Sequence, residues 1–190
     1  YIDRCLLELE DQAPGSIIIS FCDQNIQKSL FTLLSSDETG ITFTNTSIET
    51  PERNGGHYDY FYNGSGVAIV DINNDGFLDI YVCNSGDIKG DNKQNELFIN
   101  NGDLTFTESA KNYNLDDLGY STHAAFFDYD KDGDLDVYIL NNSYQAIGTF
   151  NLRRNERPKR DELGGDKLME NRGGQFVDVT EEAGIYGSVI

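Results

Sequence analysis

A nine-residue frame that occurs twice restricts this chain more than any other feature: DINNDGFLD at 71–79 and DYDKDGDLD at 128–136. Each copy has an oxygen-bearing side chain at positions one, three, five and nine, and a glycine at position six. A short loop that folds alternate oxygens inward around a sharp turn suits a hard cation taking about 6–8 oxygens at roughly 2.3–2.6 Å. Glycine permits the turn because it reaches positive φ without a Cβ clash. The expected calcium ligands are the side chains of Asp71, Asn73, Asp75 and Asp79 with the Phe77 carbonyl, and those of Asp128, Asp130, Asp132 and Asp136 with the Asp134 carbonyl. Leu78 and Leu135 are expected to point away from the ion and plug each loop into a core.

The same spacing opens a helix–loop–helix calcium site, which requires flanking helices and a bidentate Glu at position twelve. Position twelve here is Val82 or Ile139. The flanking segments GVAIVDI, DIYVCN, HAAFFDYD and DVYILNN are short, apolar and rich in β-branched and aromatic residues, as buried strands are. The reading is therefore strand–loop–strand. Its bland alternative is an acidic solvated turn, since Asp, Asn and Gly are ordinary turn residues; the repetition in matching surroundings argues against that alternative.

The repeat extends past the loops. At an offset of 57 residues Ala68 meets Ala125, Tyr81 meets Tyr138 and Asn84 meets Asn141, while NELFINNGDLTF at 95–106 returns as DKLMENRGGQF at 166–176. Each unit reads as four short strands, about 66–72, 79–84, 95–100 and 104–109, then 123–129, 136–141, 166–171 and 175–180. NNG at 100–102 and NRGG at 171–174 supply tight turns. Related tails follow, ESAKNYNL at 108–115 and DVTEEAGI at 178–185, and SSDETGI at 35–41 resembles them without a preceding loop. Four-stranded units at such a period, whose first strands are apolar on both faces, point to an all-β chain: a partial β-propeller of antiparallel blades with Asp-rich calcium loops. The expected organisation is an unassigned segment 1–30 and an incomplete propeller over 31–190, with the end of one repeat at 31–41 and blades at 64–115 and 121–185. The same spacing would start a further loop near 198, so the propeller is expected to continue in a longer protein.

VAIVDINNDGFLDIYVCN, NELFINNG, AAFFDYDKDGDLDVYILNN and FVDVTEEAGI resemble the FG-GAP or VCBS repeats of integrin α-subunit propellers. They are most similar to those of bacterial relatives of cartilage acidic protein, whose chains often end in an ASPIC/UnbV segment; no such segment is visible here. The resemblance covers about residues 30–190. It implies an extracellular, calcium-stabilised propeller and leaves the partner open, because function resides in sites carried on a fold.

Charge and composition narrow the partners. A net charge of −19 argues against nucleic acid or an anionic membrane. Seven of the carboxylates are expected ligands, and two calcium ions would bring the balance to about −15. No stretch reaches the roughly 18 apolar residues of a membrane span. The three cysteines, Cys5, Cys22 and Cys83, form neither a zinc spacing nor a disulfide framework, and Cys83 reads as a buried apolar thiol. SIIISFCDQ resembles the end of a secretion signal, with Cys22 as a candidate lipid anchor, although an acidic rather than a basic segment precedes it. The location that fits is extracellular or attached to the cell envelope.

Of the two histidines, His57 and His123, neither has a metal or triad spacing, and His123 aligns with Gly66 at the start of an inner strand. The aromatic run HYDYFYN at 57–63 reads as packing across a blade seam, with a sugar platform as the sharper alternative. The insertion 151–165 holds five of the 14 basic residues, Arg153, Arg154, Arg157, Lys159 and Arg160. It is either a loop paired with neighbouring carboxylates or a site for an acidic polysaccharide or protein. Asn45, Asn63 and Asn141 match the N-glycosylation pattern. The functional expectation is a recognition or adhesion module with a structural role for calcium. The rival is a polysaccharide-lyase-like enzyme, for which Tyr58, Tyr60 and Arg153 are the available groups.

Overall fold

A computed structural model describes residues 31–45, 49–51, 54, 56, 66–85, 94–142 and 160–185. Segment 1–30 with Cys22, the aromatic run 57–63 and residues 151–159 of the insertion lie outside the described residues.

Among the described residues eight strands form two four-stranded antiparallel sheets in simple up-and-down order. The first contains β1 (Val67–Val70), β2 (Asp79–Val82), β3 (Glu96–Asn100) and β4 (Phe106–Glu108). The second contains β5 (Ser121–Phe127), β6 (Asp136–Asn141), β7 (Lys167–Asn171) and β8 (Phe176–Asp178). The register preserves the internal repeat: Ala68 faces Tyr81 as Ala125 faces Tyr138, and Asn100 faces Phe106 as Asn171 faces Phe176. The described residues are all-β apart from two single-turn helices, α1 (Ser36–Thr39) and α2 (Ala110–Tyr113). Among the described residues no helix is long and apolar enough to cross a membrane.

One core joins the sheets, because side chains alternate across a strand and each sheet turns one face to the other. Val70, Tyr81, Cys83 and Leu97 from the first meet Ala124, Val137, Ile139 and Phe176 from the second. The Tyr81 and Phe126 rings stand edge to face, 5.7 Å apart. Gly66 permits the close approach of the innermost strands, since a Cβ there would lie 2.5 Å from the Thr122 carbonyl oxygen. That contact accounts for glycine at 66 where the second repeat has the exposed His123.

The expectation that first strands bury both faces is corrected. In β1 Val67 and Ile69 are exposed, and in β5 Phe127 is exposed, so each strand buries only the face that meets the other sheet. Leu78 is corrected for the same reason. It lies on the outward face of the first sheet and is 58% exposed, whereas Leu135 faces inward and packs on the core.

A polar chain runs through the junction of the sheets. The Asn95 amide donates to the Tyr81 hydroxyl (2.9 Å) and to Ser121 Oγ (3.0 Å), and Ser121 Oγ donates to Asn141 Oδ1 (2.7 Å). Asp166 accepts from the Asn141 N–H (2.9 Å) and from the Tyr138 hydroxyl (2.7 Å). Lys167 pairs with Asp117 beside this chain. Asn141 is thus buried and fully bonded, which removes it as a glycan acceptor in the folded protein. Cys83 is fully buried, as expected, and burial together with Asp117 pushes its thiol up to about 12.

The tails also repeat in space. Gly40, Asn114 and Gly184 all take the left-handed conformation. A Cβ on Gly40 would lie 3.0 Å from the Phe106 carbonyl oxygen, and the Asn114 amide donates to the equivalent Phe176 carbonyl at 3.5 Å. Arg160, at the described end of the insertion, pairs with Asp178 and lies 3.5 Å from Glu181.

Candidate metal centre

Both acidic loops connect the first two strands of their sheets, between Val70 and Asp79 and between Phe127 and Asp136. Their backbones agree in detail: position four is left-handed in each, at Asn74 (φ 60°) and Lys131 (φ 68°), and Gly76 and Gly133 follow at φ 90° and 100°. Local hydrogen bonds brace the turns. Asn73 Oδ1 accepts from the Asp75 N–H (3.1 Å) as Asp130 Oδ1 accepts from the Asp132 N–H (3.1 Å), and Asp75 and Asp132 accept from the N–H two residues on.

The ninth positions are anchors as well as candidate ligands. Asp79 and Asp136 are completely buried. Asp136 Oδ2 accepts from the Tyr129 N–H (2.6 Å) and Oδ1 from the Asn171 N–H (2.8 Å); Asp79 accepts from Ile72 (3.0 Å) and Asn100 (2.8 Å). One carboxylate therefore ties the loop entrance to the end of the third strand. The Asn100 and Asn171 amides return the contact by donating to the carbonyls of Leu78 and Leu135. The repeated asparagine in NELFINN and KLMENR was the available sign of this buckle.

The loops differ in how their remaining oxygens are used. In the first, Asp71 accepts from the N–H groups of Asp75 (3.0 Å) and Gly76 (2.9 Å), and the Asn73 amide donates to Asp75 (2.8 Å), so the loop is bonded to itself. In the second, carboxylate oxygens of Asp128, Asp130 and Asp136 all lie within 4.8 Å of one another. Asp132 stands beside them, and its charge adds to that of Asp136 and Asp130 on Asp134. Asp134 Oδ1 is buried without a hydrogen-bond partner. Burial first, then Asp132, pushes the Asp134 carboxyl up to about 6. Asp130 is raised by desolvation and by Asp132 and Asp136, and Asp79 by burial against the pull of its two N–H donors. Like charges so close are unfavourable without a counter-charge, and an all-oxygen carboxylate set could hold a hard divalent cation.

Sequence reasoning assigned Asp134 and Phe77 carbonyl roles and missed what their side chains do: Asp134 adds a fifth carboxylate to the second loop, while Phe77 projects outward, 45% exposed. It also missed Tyr113 of α2, whose phenol is raised by burial and by Asp79. The groups named for the enzyme reading, Tyr58, Tyr60 and Arg153, lie outside the described residues.

No curated protein matches the chain. A family model does: from the first acidic position of one loop, through the other loop, and on to Ile139 in β6, residues 71–139 match the FG-GAP-like repeat.

Proposed function

We propose that this chain is part of a calcium-stabilised β-propeller that serves as an extracellular recognition or adhesion module. The observation that carries the reading is the convergence of Asp128, Asp130 and Asp136 within 4.8 Å. A bound calcium ion would neutralise that charge and hold the loop closed between two strands, a structural role that leaves little room for chemistry at the same place. In the first loop Asp71, Asn73, Asp75, Asp79 and the Phe77 carbonyl would supply the ligands, and in the second Asp128, Asp130, Asp132, Asp136 and the Asp134 carbonyl.

The propeller reading is supported by how the sheets are related. Positions buried at their junction in one sheet are open in the other: Tyr81 and Cys83 are fully buried, whereas Leu140, the counterpart of Cys83, is 43% exposed. Conversely Ile69 is 66% exposed while its counterpart Phe126 packs on the core. Such units follow one another by the same displacement, so the stack is open at both ends and accepts further units. The left-handed residue after α1, Gly40, meets the first sheet at Phe106 as the one after α2, Asn114, meets the second at Phe176, which fits 31–41 as the end of a preceding repeat.

Calcium titration tests the reading. Ligand binding to the native state alone stabilises by about 2.7 kcal/mol per site at a hundredfold excess over Kd. Thermal melts in calcium and in chelator are expected to differ by several degrees, with Asp132→Ala weakening calorimetric affinity more than Asn73→Ala. Identical melts, or the reverse order, would refute it.

A further inference from the structure

At the loop end of the sheets the two repeats differ in a pair of positions that act together. The β3–β4 turn passes through Gly102, Asp103 and Leu104, and the β7–β8 turn through Gly173 and Gly174. Both enter the returning strand from a left-handed residue, Gly174 at φ 88° and Leu104 at φ 71°. A leucine there sets its Cβ against a carbonyl oxygen, a clash that glycine avoids. No burial offsets the strain, since Leu104 is 62% exposed.

Position seven of the acidic loop differs in the same sense, Asp134 in the second repeat and Phe77 in the first, and Phe77 is 45% exposed. Gly102 links the two positions along the turn. A Cβ on it would lie 2.9 Å from the Phe77 ring, so the ring rests on the turn two residues from Leu104. The Asn100 bonds to Asp79 and Leu78 fasten that turn to the loop. The result is two exposed apolar groups on a braced backbone, beside the Asp103 carboxylate of the turn and a loop whose three carboxylates, Asp71, Asp75 and Asp79, outweigh the charge of one divalent ion.

We propose that Phe77 and Leu104 form a contact site for a partner protein segment that inserts an apolar side chain flanked by Lys or Arg. Rigid aromatic and aliphatic groups held exposed supply binding energy without an ordering penalty, and the acidic surround selects a basic flank. The net charge of −19 disfavours a second copy of this chain or an anionic lipid surface as occupant. The site concerns the first repeat only and does not rest on calcium in either loop.

The test uses two fluorescein-labelled peptide libraries with one fixed Leu or Phe, flanked by Lys and Arg in one and by Glu in the other. Anisotropy is measured in low-salt buffer with calcium, which is inert if neither loop binds it. The basic library is expected to bind the unaltered chain and the acidic one not. Leu104→Gly is expected to weaken binding by about tenfold or more while leaving the melting temperature unchanged or raised, because the strain is relieved. Phe77→Ala is expected to weaken binding similarly. Failure of the basic library to bind, equal binding of the acidic one, or undiminished binding by Leu104→Gly would overturn the proposal.

Discussion

Asp136 and Asp130 sit in one loop and are expected to fail in opposite ways. Replacing Asp136 with alanine removes the acceptor of two backbone N–H groups, at 2.6 Å from Tyr129 and 2.8 Å from Asn171. The site is completely buried, so water cannot take over without opening β6. A stranded buried N–H costs about 1–3 kcal/mol, hence about 2–6 kcal/mol for two. Relief of repulsion from Asp128 and Asp130 offsets part of this, leaving about 2–4 kcal/mol. For a chain of this size that is roughly 4–16 °C in melting temperature. Asp130→Ala removes an exposed acceptor of one N–H at 3.1 Å and is expected to change stability by less than about 1 kcal/mol in chelator. It should nevertheless abolish much of the calcium-induced gain. Urea denaturation of both variants in chelator and in calcium separates anchor from ligand. The reasoning is refuted if Asp136→Ala lies within about 0.5 kcal/mol of wild type in chelator, or if Asp130→Ala loses as much as Asp136→Ala there.

Three further expectations follow from the same contacts. The Asp134 carboxyl is held up at about 6, so its contribution to the ion-free fold is complete below the ordinary carboxylate range and is lost as pH rises through about 6; denaturant midpoints in chelator should fall from pH 4 to pH 7, and a rise would contradict the charge crowding. Tyr81→Phe strands the Leu115 carbonyl and the Asn95 amide in a fully buried place and should cost about 1–3 kcal/mol, whereas Tyr138→Phe, half-buried with Asp166 as partner, should cost less by urea titration. Cys83, fully buried with its thiol pushed up to about 12, should react with a thiol reagent only at the rate of unfolding, so rapid labelling of Cys83 in the native chain would contradict its burial.

Much of this architecture is legible along the chain because its determinants are local. Alternating oxygens around Gly76 and Gly133 specify the loops, short β-branched and aromatic runs specify the strands, and Gly and Asn between 100 and 102 and between 171 and 174 specify the hairpins. Seven of the eight strands described therefore lie within the expected segments, and β5 begins two residues ahead of its own, at Ser121. What a strand's own residues do not encode is which of its faces another sheet covers. Leu78 and Leu135 hold the same place in the same motif, yet one is exposed and the other packs on the core, because only the second lies on the face turned toward its neighbour. The loop carboxylates show the same division. Spacing proposes Asp79 and Asp136 as oxygen donors to an ion, but their service to the amides of Asn100 and Asn171, 21 and 35 residues away, depends on the third strand closing beside the second. The chain of polar contacts from Asn95 through Ser121 to Asn141 and Asp166 likewise joins residues with no shared local pattern. Buried polar groups must find partners wherever the fold delivers them, and that delivery is a property of the packed sheets.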